Sequence, residues 1–353
     1  MDRDEIKYEI GLKGKIMIEL DDWKISSDPI FHKECMKTFF KGYCKHNGYD
    51  TNLIFEYIDN KIIGATTFYL EFSKHHFILF NFNTIPLLKS YYYTLMKYYL
   101  LGDINGVWDS IFKIDTRVSN VNYETDFDQK VITYNGVWSH TDKDSLVNFL
   151  TFISTQFLMN HEIAHCLNGH TKFLASSDFV EYVRDENIDK TVLMKTLEMD
   201  ADAYAAGSLA NYINNFNYDD LCIIFPYLTT ISRSEMSTLC VFAILSTFMC
   251  SSEYVSSSNK YLTPLMRAVL SIDVLLAEFK LLSDKEFNPE VYKTLIFIAY
   301  ENYSKIFDKE IVDFDRVKAL MKEHKEYEEH LRKLWITSLR NKLDKFAFEE
   351  LAK

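Results

Sequence analysis

Glycine and proline are scarce. The 353-residue chain has 10 Gly and 5 Pro, where ordinary usage would give about 25 and about 18. That shortage excludes collagen-like, linker-rich and disordered architectures. It also leaves no glycine-rich phosphate loop, since neither GxGxxG nor GxxxxGK[ST] occurs. A basic excess is missing too. There are 51 acidic and 39 basic residues, for a net charge of −12. Proteins that neutralise phosphates rely on Lys and Arg, so nucleic acid is not an expected partner. The six cysteines include no CxxC pair and no disulfide spacing. No apolar run is long enough for a bilayer, which needs about 20 residues, and the longest is Met236 to Cys250. The charged N-terminus, MDRDEIKYEI, has no signal-peptide core. These absences predict a soluble, cytoplasmic protein without a membrane partner.

What is plentiful is core material, with 48% hydrophobic and 15% aromatic residues. Leu53 to Asn83 is rich in β-branched and aromatic residues and reads as strands, with Asp59-Asn60 turning one hairpin and Ser73-Lys74 marking a second break. Ile85 to Leu101 reads as a helix with a tyrosine-rich packing face, and a strand is expected near Lys130 to Tyr134. Long helices are expected at about Asp144 to Asn168, Thr191 to Ile213, Pro264 to Lys280, Pro289 to Ile306, and Asp313 onward. The fold expected is α+β and predominantly helical. It divides into a strand-rich portion over 1–140, catalytic helices over 141–285 and a C-terminal helical part over 286–353, within one unit.

One motif carries chemistry: His161-Glu162-Ile163-Ala164-His165. Residues four apart on an α-helix lie about 40° apart around the axis, so His161 and His165 share a face. Glu162 flanks them, while Phe149, Phe152, Ile153, Phe157, Ile163, Ala164 and Leu167 fall opposite. Two imidazoles so placed can hold one Zn2+, with Glu162 beside it to hold a water. A catalytic zinc takes a third protein ligand. Cys166 and His170 are nearest in sequence, yet both point away if the helix continues, and Gly169 is a plausible helix terminator. Glu198 lies 33 residues after His165, four before Asp202, in the alanine-rich run LEMDADAYAAG. The two acids share a helix face that the small residues allow to approach another helix. Glu198 can then complete the ligand set, and Asp202 can accept the second ring N–H of a histidine, His161 being the expected one.

HExxH followed by ExxxD resembles the gluzincins, zinc metallopeptidases whose third ligand is a glutamate on a second helix. NHEIAHCLNGH with LEMDADAYA is similar to the Lit-like phage-exclusion peptidases, and to the catalytic core of CAAX-type membrane proteases without their transmembrane helices. The likeness covers roughly Phe149 to Gly207. Tyr261-Leu262-Thr263-Pro264-Leu265-Met266-Arg267 resembles a Pro…Arg segment that follows the glutamate helix in such families. Arg267 in a first helical turn opposes the helix dipole, which is better explained if it pairs with Asp202 or Glu198. Tyr261, Tyr204 and His140 are candidates to stabilise an oxyanion, with Tyr261 preferred for its place beside that segment.

The resemblance implies a zincin-like core, Zn2+ as cofactor, a protein or peptide substrate inside the cell, and a role in phage defence. A partner that activates a latent enzyme is a further expectation. The alternatives are a zinc-binding interaction module without catalysis and a metal hydrolase with a non-peptide substrate.

Overall fold

The computed structural model describes residues 15–16, 52–60, 63–98, 122–126, 131–135, 142–215, 233–252, 262–283, 289–307 and 314–351, with isolated residues between them. Its first sheet contains β1 (Lys15–Ile16), β2 (Asn52–Asp59), β3 (Ala65–Leu70) and β4 (His75–Asn81), in the order β1-β2-β4-β3. β4 carries the unbroken apolar run Phe77–Phe80, buried on both faces, as expected of an interior strand. The expected turn at Asp59-Asn60 does not make a hairpin. β2 instead pairs in parallel with β4, Asn52 opposite His75, and the chain passes first to β3 at the far side of β4. Pairing β2 with β3 would have left β4, the most apolar strand, at an edge. The break at Ser73-Lys74 does turn β3 back antiparallel onto β4, with Lys74 at φ 54°. Among the described residues β3 is consequently an edge strand, and most of it is half-buried.

Helix α1 (Thr84–Tyr98) follows, with Tyr91 and Tyr92 fully buried. A separate antiparallel pair joins β5 (Asn122–Asp126) to β6 (Val131–Asn135). The rest of the described chain is helical: α2 (Asp142–Leu167), α3 (His170–Ala175), α4 (Ser177–Asp185), α5 (Lys190–Asn215), α6 (Arg233–Ser252), α7 (Pro264–Ser283), α8 (Pro289–Ile306) and α9 (Phe314–Leu334). α9 runs into a π-helical turn, Trp335–Leu339, and then α10 (Arg340–Leu343). The architecture is α+β and predominantly helical.

Three apolar clusters position the centre. The largest joins α1, α2, α5, α6, α7 and α8, through residues such as Tyr92, Phe157, Leu209, Phe242 and Ile272. A second lies between the sheet and α2, with Phe55 and Phe80 against Met159, Ile163 and Leu167. The third packs Phe173 and Leu197 on Trp335, Leu339 and Leu343. Helix α6 holds the longest apolar run. Leu239 to Leu245 are buried in succession, so its residues are apolar all round because core surrounds them. Among the described residues no helix is long and apolar enough to cross a membrane. On α5, Ala201, Ala205, Ala206 and Ala210 are fully buried, and these small side chains let α2 and α7 pack closely against it.

Candidate metal centre

Helix α2 is held from two sides, by the helical core and by the sheet, and this fixes which way its polar turn faces. His161 and His165 project from one face towards α5, where Glu198 and Asp202 project back. The two imidazole Nε2 atoms are 3.1 Å apart. Glu198 Oε2 is 3.4 Å from His161 Nε2, and Oε1 is 3.6 Å from His165 Nε2. One donor atom from each of the three residues lies within 4.8 Å of the others. Zinc bonds of about 2.05 Å in a tetrahedron give ligand–ligand edges of about 3.3 Å. The 3.1 Å between the two nitrogens is close to such an edge, while the 3.4 and 3.6 Å contacts run to different oxygens of Glu198, and the three residues together form a group that could hold a metal ion.

The surroundings determine the charges. Asp202 is 1% exposed, and its Oδ1 lies 2.8 Å from His161 Nδ1, an ion-pair contact that the ring N–H does not meet in line. Arg267, from the first turn of α7, grips Asp202 with Nε on Oδ2 and Nη2 on Oδ1, both at 2.8 Å. Its Nη2 also comes 3.4 Å from Glu198 Oε2, and the guanidinium lies 4.9 Å from the Phe248 ring centroid. Burial alone would keep His161 neutral, but Asp202 and Glu198 outweigh it and raise its pKa to about 10. Burial likewise works against a charged Glu198, yet His161, His165 and Arg267 hold its carboxyl well below the usual range. His165, desolvated and next to other cationic groups, is held well below an ordinary histidine.

Glu162 reaches the edge strand rather than the acid helix. The hydroxyl of Thr67 on β3 donates a short hydrogen bond to Glu162 Oε2. Burial raises the Glu162 pKa, with His161 and the Thr67 hydrogen bond opposing. A carboxylate displaced towards neutrality is suited to take up and return a proton.

Two residues left without a role by the sequence also meet here. Helix α2 ends at Leu167, and Gly169 takes φ +79°, so the chain turns into α3 instead of continuing. That turn swings His170 back towards the histidine pair. Its Nδ1 lies 2.9 Å from His165 Nδ1, and its Nε2 is 3.1 Å from Asp200 Oδ2. Asn168 Nδ2 donates to the same Asp200 oxygen at 2.6 Å. Asp200 points off the Glu198/Asp202 face, as helix geometry requires, and thereby reaches the other side of the pair. The only advance sign was Gly169, a residue suited to a left-handed turn.

Cys166 is fully buried in the sheet-side cluster, its thiol directed at the Glu162 carbonyl at 3.6 Å. Tyr204 packs against that same cluster, and burial raises its pKa. Tyr261 and His140 lie outside the described residues. No family model, curated protein or solved structure matches the chain.

Proposed function

We propose that the chain is a zinc-dependent endopeptidase of the gluzincin type, acting on a protein substrate. The observation that carries this reading is the convergence of His161, His165 and Glu198, one donor atom from each lying within 4.8 Å of the others. Those three residues would hold the ion, which supplies Lewis-acid activation of water and of the scissile carbonyl when bound.

The protein's own groups do the rest. Glu162 is the general base. With Oε2 engaged by Thr67, its Oε1 takes the proton and then delivers it to the leaving amine. Asp202 orients His161, and Arg267 holds Asp202 and Glu198 in place, so both act through the ligands rather than on substrate. β3 gives an extended polypeptide an edge to pair with, and Thr67 on that strand sets the register between the edge and the base. Oxyanion stabilisation is assigned to Tyr261 by its place beside the Pro264–Arg267 segment. The resemblance of the HExxH and ExxxD helices to the phage-exclusion peptidases extends the reading to an intracellular target and a defensive role, with activation by a partner.

The test is Glu162→Gln in the full chain, assayed for bound zinc by elemental analysis and for new protein termini by proteomics after expression. The reading expects stoichiometric zinc in both proteins, and new termini with the wild type alone, a loss of about 100-fold or more in cleavage. Termini that persist in Glu162→Gln would refute the assignment of the base. A cellular effect unchanged by the substitution would favour a zinc-binding interaction module.

A further inference from the structure

His161 has an aspartate behind it, whereas His165 has another histidine. We propose that His170 is a positioning residue for the centre: held by Asp200, it accepts the Nδ1–H of His165 and so keeps the His165 Nε2 lone pair directed at the metal position. This inference rests on the reading that His161, His165 and Glu198 hold a metal.

One placement of protons suits the whole row, beginning at Asp200. Asp200 accepts from Asn168 Nδ2 at 2.6 Å, which fixes its carboxylate at the end of α2. The His170 Nε2 atom lies 3.1 Å from that carboxylate in a charge contact, not an aligned hydrogen bond, and a hydrogen on this nitrogen suits an acceptor that donates nothing. With its N–H on Nε2, the ring presents Nδ1 as an acceptor. The atom facing it at 2.9 Å is His165 Nδ1, which must then be the donor. His165 is left with a bare Nε2, the atom that faces His161 and Glu198.

The same geometry excludes His170 as a direct ligand. Its Nδ1 meets the back of the His165 ring, across from the edge that faces Glu198. Its side chain has no exposure. Both ligand imidazoles are thus oriented from behind through Nδ1, one by a carboxylate directly and one through a histidine–carboxylate pair. Groups of this kind typically account for 10- to 100-fold in metal affinity.

The experiment uses the full chain labelled with 15N-histidine. Long-range 1H–15N correlation spectra of the metal-free protein report which nitrogen of His165 carries the proton, and chelator competition measures Zn2+ affinity. The wild type is expected to show His165 protonated on Nδ1. His170→Phe should bind Zn2+ ~10- to 100-fold more weakly. His170→Gln, whose amide oxygen can accept the same N–H, should recover most of that loss. A wild-type His165 protonated on Nε2 would overturn the proposal. So would equal losses in the two variants, or no loss in either. If His170→Phe does not fold, the wild-type tautomer and the His170→Gln affinity decide between these outcomes. A wild type that binds no Zn2+ would instead refute the metal reading, while the His165 tautomer would still decide the hydrogen-bond chain.

Discussion

Replacing Arg267 by Met removes a cation and keeps most of the side-chain volume. The structure sets the size of the effect. Asp202 is 1% exposed and takes two 2.8 Å hydrogen bonds from the guanidinium, and Glu198 lies 3.4 Å from it. Taking away one partner of a buried pair costs about 3–5 kcal/mol, because the remaining charge stays desolvated. The Arg267 side chain is 17% exposed, so the lower end, about 3 kcal/mol, applies. An unfolding entropy of about 2.1 cal/mol/K per residue over this length turns that into a fall of about 4 °C in Tm. Thermal unfolding of chelator-treated protein, followed by circular dichroism, measures it. Arg267→Lys should recover only part of the loss, since an ammonium restores charge but not the two-pronged contact. A metal-free Arg267→Met protein that melts within about 1 °C of wild type would refute the argument. It would mean that the two acids are not held by this cation.

His76 gives a pH dependence. It is fully buried, and burial, followed by the charges of Lys172 and His75, pushes its pKa down to about 3. Its folded pKa lies below the unfolded one, so its contribution is whole above about pH 6.5 and is lost as the pH falls from there towards 3. Between pH 7 and pH 5 the loss is about 2 kcal/mol. In urea titrations across that range, His76→Phe should flatten the acid limb, and an unchanged slope would contradict the assignment. Gly169→Ala should cost about 1–3 kcal/mol or more, since φ +79° disfavours any Cβ and this one would meet backbone at 2.6 Å. A variant as stable as wild type in the same titrations would show that the turn has room.

The parts of the centre that depend on helical period could be read from sequence. The shared face of His161 and His165, and the shared face of Glu198 and Asp202, need only the 3.6-residue repeat and an alanine-lined surface. Strand pairing could not be read in this way. A tight turn at Asp59-Asn60 makes a hairpin the local expectation, but the apolar run Phe77–Phe80 needed an interior position, and that is a property of the whole sheet. The His170–Asp200 pair was hidden for a different reason. Extending α2 past Leu167 sends His170 to the wrong side, and one left-handed residue reverses its direction. The short helices α3 and α4, of six and nine residues, were not anticipated either.

The backbone N–H of Phe348 donates to the carbonyl of Leu167 at 2.8 Å, and the Phe348 ring packs with Phe40 and His76 beneath Lys172. A segment far along the chain thus closes the end of the helix that carries the histidines. Closing so long a loop costs only a little more than closing one half its length, because the entropic cost grows logarithmically with length. Its consequence is one of timing. During synthesis the histidine turn can coil as soon as it is made, yet the brace at its end must wait until residue 348 emerges. The chain therefore carries its histidine pair for much of its own synthesis before the turn behind it is secured.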